Sequence, residues 1–441
     1  MPNTVATSAA DGTPNVTYIS QVHYVDSNHV ALSFQFFNKT RENILANPRA
    51  SALVIDPETG AQYRLDLEYL RTETEGPLYE SMKARLSGIA SQTGMSGVFK
   101  LRGADVYRVL EIEAVPGRPA PTVRPRRNIL GALRQCSARL NAATDLGGLL
   151  DATLAGLDTF FDIHHAIILM TDPAKQRLYT VASRGYTQSG VGSEIVLGCG
   201  VIGVAAQQRS PIRITHLTAE YSYTRAIRDS IERAGLGASL ETAIPLPGLA
   251  ESRSQLAVPI VSGNHLFGVL YVESPEDLRF NYDDEDALVA LAAQLGTAAN
   301  ALLHSAENDP AWGGPDAKRK ESAAPSHVAV RPPAGSPASI RHYASDDSVF
   351  IDEDYLIKGV AGAIFWKLVR AYDRDKRVDF SNRELRLDAS LGLPDITDNL
   401  EARLILLERR LSEKLAPMRI EKTGRGRFRL RVDRPFALLE A

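Results

Sequence analysis

The stretch "FFNKTRENILANPRASALVIDP", Phe36 to Pro57, places a lysine and two capping residues at the start of a short helical segment between two strand-like runs. Helix-terminal backbone N–H groups, the positive end of the helix dipole and a lysine ammonium together favour a bound phosphate. Asn38 and Thr40 are equally the residue types that cap helices without any ligand. The stretch therefore predicts a strand–helix–strand unit, and its helix start is open to two interpretations, a phosphate site and a plain cap.

Length and composition indicate a multidomain globular protein. The chain has 441 residues, which is too long for one core and predicts about three domains. Its 44% apolar and 23% charged residues are ordinary for soluble proteins. No run reaches transmembrane length, and the N-terminus lacks a charged region followed by an apolar one, so we expect a cytoplasmic protein without membrane contact. The net charge of −3 gives no overall preference for nucleic acid, so any basic surface must be local.

Two proline-rich segments divide the chain. The first is "EAVPGRPAPTVRPRRN", residues 113–128, whose prolines interrupt any helix or strand. The second, residues 306–345, is rich in Pro, Ala, Ser and Gly without a periodic apolar face, which is typical of a flexible tether. The predicted fold class is multidomain α+β, with a barrel-like β domain at residues 1–117, an α/β domain at 126–305, the linker at 306–345 and a helical domain with a terminal hairpin at 346–441.

The N-terminal domain reads as a small β-barrel, because alternating strands surround a hairpin turn in "ADGT" and one helix, "GPLYESMKARLSGIAS". Its segments "ATSAADGTPN" and "VALSFQFFNKTRENILANP" resemble the pyridoxamine-phosphate-oxidase-like split barrel that binds FMN. The resemblance covers about the first 117 residues. It implies that the FMN phosphate contacts Lys39 and Thr40, and that the flavin ring or ribityl chain lies along Ser33, Gln35 and Asn38.

One strand departs from the pattern of that family. "NVTYIS", residues 15–20, carries none of the basic residues that the oxidases proper have there. A cofactor-free barrel that serves as a dimerisation module therefore stays open, since fold does not determine function. Arg41, Arg49 and Arg64 form no recognisable cluster for a substrate phosphate, and no Ser–His–acid or paired-carboxylate pattern is present. We expect sensing rather than turnover, with FMN-dependent redox catalysis as the alternative.

The middle of the chain alternates helices and strands around "GVIGVAAQQRSPIRI", residues 200–214, and the later runs "LAVPI" and "GVLYVES". These segments resemble a GAF domain over about residues 128–304. The resemblance implies an antiparallel sheet, a ligand pocket beneath a long covering loop, and terminal helices that pair in a homodimer. It leaves the GAF ligand unidentified.

Histidines and cysteines in this region are candidate ligand or redox residues. His164, His165 and His216 are open to two interpretations, haem ligands or packing and surface residues. The chain has two cysteines, Cys136 and Cys199, whose separation excludes a disulfide framework and a cysteine-held metal centre within one chain, so we expect no metal site. Cys199 lies between glycines, where it is either an exposed redox-sensing thiol or a small core residue.

The C-terminal domain ends in a helix and a basic hairpin. A helix from about Asp395 to Leu415 has leucines spaced for a core, and "RIEKTGRGRFRLRV" forms two strands around a Gly-rich turn. This arrangement resembles the winged-helix output domains of response regulators over roughly residues 350–434. The basic residues that the resemblance places against DNA phosphates are Arg403, Arg409, Arg410, Lys422, Arg425 and Arg427. Acids at the helix start, Asp398 and Glu401 among them, would repel phosphates, so a protein-contact module stays the alternative.

Together the three domains predict a cytoplasmic, homodimeric transcriptional regulator that responds to a ligand or to redox state. In this hypothesis FMN and a small-molecule GAF effector bias how the winged helices are presented to DNA. The alternatives are an FMN-dependent oxidoreductase of the split-barrel family and a scaffold with empty pockets. DNA affinity that falls steeply with salt is the property that would favour the regulator.

Overall fold

The computed structural model describes residues 3–19, 21–35, 38–56, 59–92, 100–117, 127–215, 244–307, 336–388, 391, 400–424 and 426–440. In these ranges the chain forms four β-sheets, which group along the sequence into an N-terminal, a middle and a C-terminal unit. Most of the segment predicted to cover the middle unit, residues 215–255, lies outside the described ranges, as does most of the predicted linker.

The described part of the N-terminal unit contains seven antiparallel strands and two helices. The strands are β1 (Asn3–Ser8), β2 (Pro14–Ile19), β3 (Val22–Asp26), β4 (His29–Phe34), β5 (Arg49–Ile55), β6 (Gln62–Glu73) and β7 (Gly103–Ala114), and the helices are α1 (Asn38–Ala46) and α2 (Pro77–Gln92). Hydrogen bonds join the strands in the order β2-β1-β5-β6-β7-β4-β3. Side chains alternate along a strand, so Val5 and Thr7 of β1 point into the core while their neighbours do not.

The predicted hairpin in "ADGT" is confirmed, because β1 and β2 pair antiparallel on either side of it. Gly12 has a φ of +84°, a left-handed conformation that glycine adopts without steric cost. The Thr13 N–H donates to Asp11 Oδ1 at 3.0 Å and closes the turn. This local chemistry sets the register in which β1 presents Thr7 to the barrel interior.

The middle unit is a six-stranded antiparallel sheet with helices on both faces. Its strands are β8 (His165–Asp172), β9 (Arg177–Arg184), β10 (Glu194–Val196), β11 (Ile212–Ile214), β12 (Ser254–Ser262) and β13 (His265–Ser274), in the order β10-β9-β8-β13-β12-β11. Its helices among the described residues are α3 (Ile129–Asn141), α4 (Leu146–Phe161), α5 (Gly200–Gln208) and α6 (Tyr282–Glu307). A hairpin at Gly263 joins β12 and β13, with Ser262 paired with His265.

The central strands of this sheet are buried on both faces. That is why β8 and β13 read as nearly continuous apolar runs rather than as alternating ones. One face packs against α4 and α6, and the other packs against α5. The described residues contain one helix, over 282–303, that is long and apolar enough to cross a membrane by length and composition. Leu288, Leu291 and Leu295 of this helix are buried in the core, which accounts for its apolar character.

The C-terminal unit contains two small sheets and three helices among the described residues. The elements are β14 (Ala338–Tyr343), β15 (Ser348–Ile351), β16 (Asp354–Ile357), α7 (Gly359–Asp375), β17 (Asp379–Ser381), α8 (Asn382–Arg386), α9 (Leu400–Glu413), β18 (Met418–Gly424), β19 (Arg427–Val432) and β20 (Phe436–Glu440). The sheets have the orders β16-β15-β14-β20 and β17-β19-β18. Ser381 caps the start of α8, since its Oγ accepts from the Glu384 N–H at 3.4 Å.

This unit begins earlier than the sequence indicates. β14 lies within residues 306–345, the range predicted to be a tether, and pairs in parallel with β20 at the other end of the unit. Its inward-facing residues are Ala338, Ile340 and His342, of which only Ile340 is strongly apolar. β14 also pairs antiparallel with the nearby β15. The strand was missed because its own apolar alternation is weak.

The middle and C-terminal units share one hydrophobic core, with α9 between them. Residues 402–407 are all buried, and six successive residues at about 100° per residue cover every side of a helix. One side of α9 contacts α4 and β9 of the middle unit, and another contacts α7 and β16. The leucine spacing correctly indicates a buried face, but the position of α9 between two units leaves its central turns no solvent face.

The N-terminal unit docks on the middle unit through α2. Gly88 of α2 lies so close to β11 that an added Cβ would be 2.6 Å from Ile212 Cγ2. Arg85 and Arg213 both pair with Glu285, the latter at 2.7 Å between Nε and Oε2. Both side chains of the Arg213–Glu285 pair are less than a tenth exposed, so the pair needs both partners to offset desolvation.

Stability is expected to depend on pH through His23, which lies on β3 near Arg85 and Glu285. Burial, and secondarily the Arg85 charge, lower the pKa of His23 from 6.5 to about 4, while Glu285 opposes the shift. The unfolded chain then binds a proton that the folded chain excludes, so stability falls as pH decreases from 6.5 towards 4. His23→Gln should flatten the dependence of the melting temperature on pH over this interval. Melting temperatures of the wild type and the variant between pH 6.5 and pH 4 measure the two slopes, and equal slopes would contradict the assignment.

Candidate functional site

At the start of α1, the two residues expected to hold a phosphate, Lys39 and Thr40, point in different directions. The Lys39 side chain is 57% exposed, and its Nζ lies 3.9 Å from Glu42 Oε2 one turn along the helix. Thr40 is buried, and its Oγ1 accepts from Asn15 Nδ2 at 2.9 Å. Lys39 therefore faces solvent while Thr40 faces the barrel, where its acceptor atom bonds to β2. The Asn38 side chain lies outside the described residues.

Ser33 and Gln35, expected beside the flavin, are buried in the wall of the N-terminal unit at 2% and 1% exposure. Ser33 Oγ accepts from the Gln21 N–H at 3.3 Å. Both side chains thus contribute to the interior of the barrel. They are not on an open surface with Lys39.

Arg41 fastens α1 to β7. Its Nη1 lies 2.7 Å from Asp105 Oδ1 and 2.5 Å from Thr72 Oγ1, and its guanidinium stands 5.1 Å from the Phe34 ring centroid. Asp105 is 5% exposed, and burial raises its pKa while Thr72 and Arg41 oppose the shift. The cluster is structural, because the Arg41 charge is matched by a carboxylate. Sequence reasoning could not find it, since the partner lies 64 positions along the chain.

An open groove of about 580 Å³ runs across β1, β5, β6 and β7. Its polar lining consists of Thr7, Ser8, Arg49, Ser51, Asp66 and Glu111, and neither Lys39 nor Thr40 is part of it. Thr7 Oγ1 accepts from Asn43 Nδ2 at 3.1 Å and Ser8 Oγ accepts from Asn47 Nδ2 at 2.8 Å, so both hydroxyl protons remain available as donors. A guanidinium with several hydroxyls is a donor set that fits a phosphate, although two carboxylates share the groove.

The middle sheet contains a buried carboxylate. Glu273 of β13 is 2% exposed, and its Oε1 accepts from Tyr186 Oη at 3.0 Å and from the Leu249 N–H at 2.9 Å. Tyr271 Oη lies 3.3 Å from its other oxygen. The His165 ring packs edge-on against Tyr186, and burial lowers the pKa of His165 while Glu273 opposes the shift. This polar cluster was not predicted; a lone glutamate directly after the apolar run "GVLYV" was its one signal.

The remaining histidine and cysteine candidates are placed as follows. The His164 side chain is 61% exposed, and its Nδ1 lies 2.7 Å from Asp158 Oδ1. His216 lies outside the described residues. Cys199 is exposed just before α5, whereas Cys136 is buried, which raises the pKa of its thiol to about 11. Of the two interpretations of Cys199, its exposure agrees with the accessible thiol rather than with a core residue.

The predicted DNA contacts on α9 point into the protein. Arg403 is 6% exposed, its Nη2 lies 2.7 Å from Asp172 Oδ2, and its guanidinium stacks 4.0 Å from the Tyr179 centroid. Arg409 Nη2 donates to Asp151 Oδ1 at 2.6 Å, and its Nη1 donates to a backbone carbonyl of β9. All of these partners belong to the middle unit. In this conformation neither arginine is presented to solvent for a phosphate, contrary to the expectation from the sequence.

The other predicted DNA contacts divide between the interior and the hairpin. Arg410 is 7% exposed and donates through Nε to the Leu356 carbonyl at 3.0 Å. Lys422 Nζ lies 3.1 Å from Glu401 Oε1 and 3.4 Å from Asp145 Oδ2, the latter in the middle unit. Arg427 is exposed on β19, and Arg425 lies outside the described residues. The structure therefore brings Arg403, Arg409 and Lys422 to an interface between units.

Comparison with protein families identifies the N-terminal and middle units. Residues 2–115 match the pyridoxamine 5'-phosphate oxidase family model, and residues 143–300 match a GAF domain model. The predicted split barrel and GAF domain are thereby confirmed. The N-terminal and middle units are called the barrel and the GAF domain below.

Solved structures resemble these two domains singly. The GAF domain of an Acinetobacter phosphoenolpyruvate-protein phosphotransferase is 23% identical, covers 43% of this chain and 100% of its own, and has a TM-score of 0.31. Free methionine-R-sulfoxide reductase from Neisseria meningitidis is 21% identical, with coverages of 40% and 91% and a TM-score of 0.31. An FMN-binding protein from Syntrophomonas wolfei is 17% identical, with coverages of 26% and 77% and a TM-score of 0.23. No curated protein matches the chain. At these scores the likenesses do not identify a ligand.

Removing the Arg41 guanidinium should destabilise the barrel. Arg41→Ala leaves Asp105 buried without its cation, which typically costs about 3 kcal/mol. Arg64→Ala breaks the exposed pair with Glu113 and should cost less than about 1 kcal/mol. Chemical denaturation of both variants measures the difference. Adding Asp105→Asn to Arg41→Ala should recover part of the loss; no recovery would show that the charge of Asp105 is not the cause.

Proposed function

We propose that the protein is a ligand-responsive transcriptional regulator in which the GAF domain holds a C-terminal DNA-binding winged helix in a closed state. The observation that carries the proposal is the docking of α9, because its arginines pair with Asp151 and Asp172 of the GAF domain. A phosphate backbone offers the same guanidinium groups an alternative anionic partner. The same side chains therefore serve closure and DNA binding in turn.

The order of elements in the C-terminal unit supports a winged helix. α7, α8 and α9 are followed by the β18–β19 hairpin, and β19 also pairs with β17 between the first two helices. The hairpin would be the wing. Its outward side chains include Arg427, Arg429 and Arg431, each exposed, while the alternate residues Phe428 and Leu430 are buried. The wing is thus already accessible to DNA, and α9 would become accessible only on opening.

Opening would have to overcome the burial of the apolar surface that α9 shares with the GAF domain. The Arg403 and Asp172 side chains are both less than a tenth exposed, so separating them exposes two charges and the apolar surface around α9. A second pair, Lys358 Nζ to Glu194 Oε2 at 3.6 Å, lies on the same interface. A ligand changes the balance only as far as it binds the open and closed states unequally. The Glu273 cluster of the GAF domain is a candidate position for such a ligand.

The proposal also assigns FMN to the barrel, as its family match suggests. When bound, FMN would supply a redox-active, light-absorbing group. The residues available for its phosphate are Lys39 beside the α1 N-terminus and Arg49 in the groove with the hydroxyls of Ser8 and Ser51. The proposal also includes a homodimer. The exposed apolar side chains of Val16, Tyr18 and Ile112 on the barrel are available for its interface.

DNA binding tests the closed-state proposal. Asp151→Lys repels Arg409 and should raise the affinity of the full chain for a labelled duplex by about tenfold, a typical coupling between sites. Asp286→Lys makes the same charge change at an exposed position of α6 and is the matched control. Fluorescence anisotropy at several salt concentrations measures both affinities. Equal affinities would reject the closed state, and absence of salt-dependent DNA binding in every variant would reject the DNA-binding function.

The absorption spectrum of the purified protein tests the cofactor assignment. Bound flavin is expected to give bands at about 370 and 450 nm. Loss of these bands in Lys39→Ala would place the phosphate at α1, and loss in Arg49→Ala would place it in the groove. Arg64→Ala, an exposed arginine of β6, is the control and should keep the bands. A colourless protein that does not bind added FMN would reject the assignment.

A further inference from the structure

A cavity of about 430 Å³ lies between the GAF domain and the C-terminal unit. The GAF side contributes Thr144 and Asp145, from the turn between α3 and α4, and Leu302 near the end of α6. The opposite wall is formed by α9 and by the β18–β19 hairpin. The volume is within the range of small-molecule sites, which lie preferentially at domain interfaces.

Most of the wall is apolar. Leu302, Leu404, Ile405, Ile420 and Phe428 line the cavity, and Phe428 is held in place by stacking on Phe380 with 5.9 Å between ring centroids. Leu404 and Ile405 come from one face of α9, so the cavity has a fixed helical wall. Such a surface binds an aromatic ring or a branched alkyl group by excluding water.

The cavity is lined by three carboxylates, those of Asp145, Glu401 and Glu408, and by two cations, Lys422 and Arg427. Lys422 is neutralised by Glu401 and Asp145, to which its ammonium is bonded at 3.1 and 3.4 Å. Glu408, one turn beyond Ile405 on the same face, lines the cavity and forms no hydrogen bond or ion pair within the described part of the chain. The cavity walls displace water around this exposed carboxylate, and this desolvation raises the pKa of Glu408. A carboxylate in these surroundings is stabilised by a cation or a strong hydrogen-bond donor.

We propose that this cavity binds a small amine with an aromatic or branched alkyl body, with its ammonium on Glu408 and its apolar part against Ile405 and Phe428. The ligand would contact both units at once and therefore favour the closed arrangement. This effect on closure rests on the proposed function, whereas binding of the amine does not.

Calorimetry of the full-length protein with three matched probes tests the site. The probes are 2-phenylethylamine, the neutral 2-phenylethanol and the anionic phenylacetate, which differ mainly in charge. The amine should bind at least about tenfold more tightly than the alcohol, because only the amine forms a charge-assisted bond. Glu408→Gln keeps the size of the side chain and should remove this preference while leaving the alcohol unchanged. Glu353→Gln, an exposed residue outside the cavity, should change neither affinity.

Three results would overturn the proposed site. Equal binding of amine and alcohol would show that Glu408 does not recognise a cation. Preference for phenylacetate that is lost in Arg427→Gln would make the cavity an anion site instead, since Arg427 also lines it. Absence of heat from all three probes at millimolar concentration would show that no such site exists. If the amine binds but leaves DNA affinity unchanged, the binding site stands and only its effect on closure is rejected. If the amine binds but Asp151→Lys does not increase DNA affinity, only the closed-state proposal is rejected.

Discussion

Burial of Arg403 between two units is the constraint on which the arrangement of the C-terminal half depends. A guanidinium is not stable in a protein interior without an anion close by. Asp172, at the end of β8, supplies that anion at 2.7 Å, and the Tyr179 ring covers the guanidinium face. Arg403 belongs to the C-terminal unit, whereas Asp172 and Tyr179 both belong to the GAF domain. For this reason α9 keeps its buried position only while the two units remain together.

The proposed function requires this interface to have two distinct states. In the closed state the apolar core is continuous through α9, and the surrounding charges of Arg409, Lys422 and Lys358 are paired with GAF carboxylates. Opening exposes apolar surface and frees the same positive charges together, so intermediate separations are unfavourable. The cavity containing Glu408 exists only while its two walls are together. A ligand in it must therefore bind the two states unequally, which is the thermodynamic requirement for control.

Local structure was predictable wherever neighbouring residues decide it. The turn at Gly12, the hairpin at Gly263 and the Ser381 cap each depend on residues within four positions of one another. The barrel and GAF motifs were recognisable for a related reason, since their patterns extend along continuous segments that family comparison confirms. The Arg41–Asp105 cluster and the acceptor position of Glu273 were not predictable, because their partners lie 64 and 87 positions away.

The sequence by itself determined the types of domain at the N-terminal and middle positions and the number of positive charges on α9 and the hairpin. Only the tertiary structure decided what those charges face. Arg409 and Asp151 are 258 positions apart, and nothing in the local pattern of α9 distinguishes an arginine turned to solvent from one turned to another unit. The physical reason is that the free energy of a charge depends on its burial and on its nearest counter-charge. Here both are set by the docking of α9 against the GAF sheet.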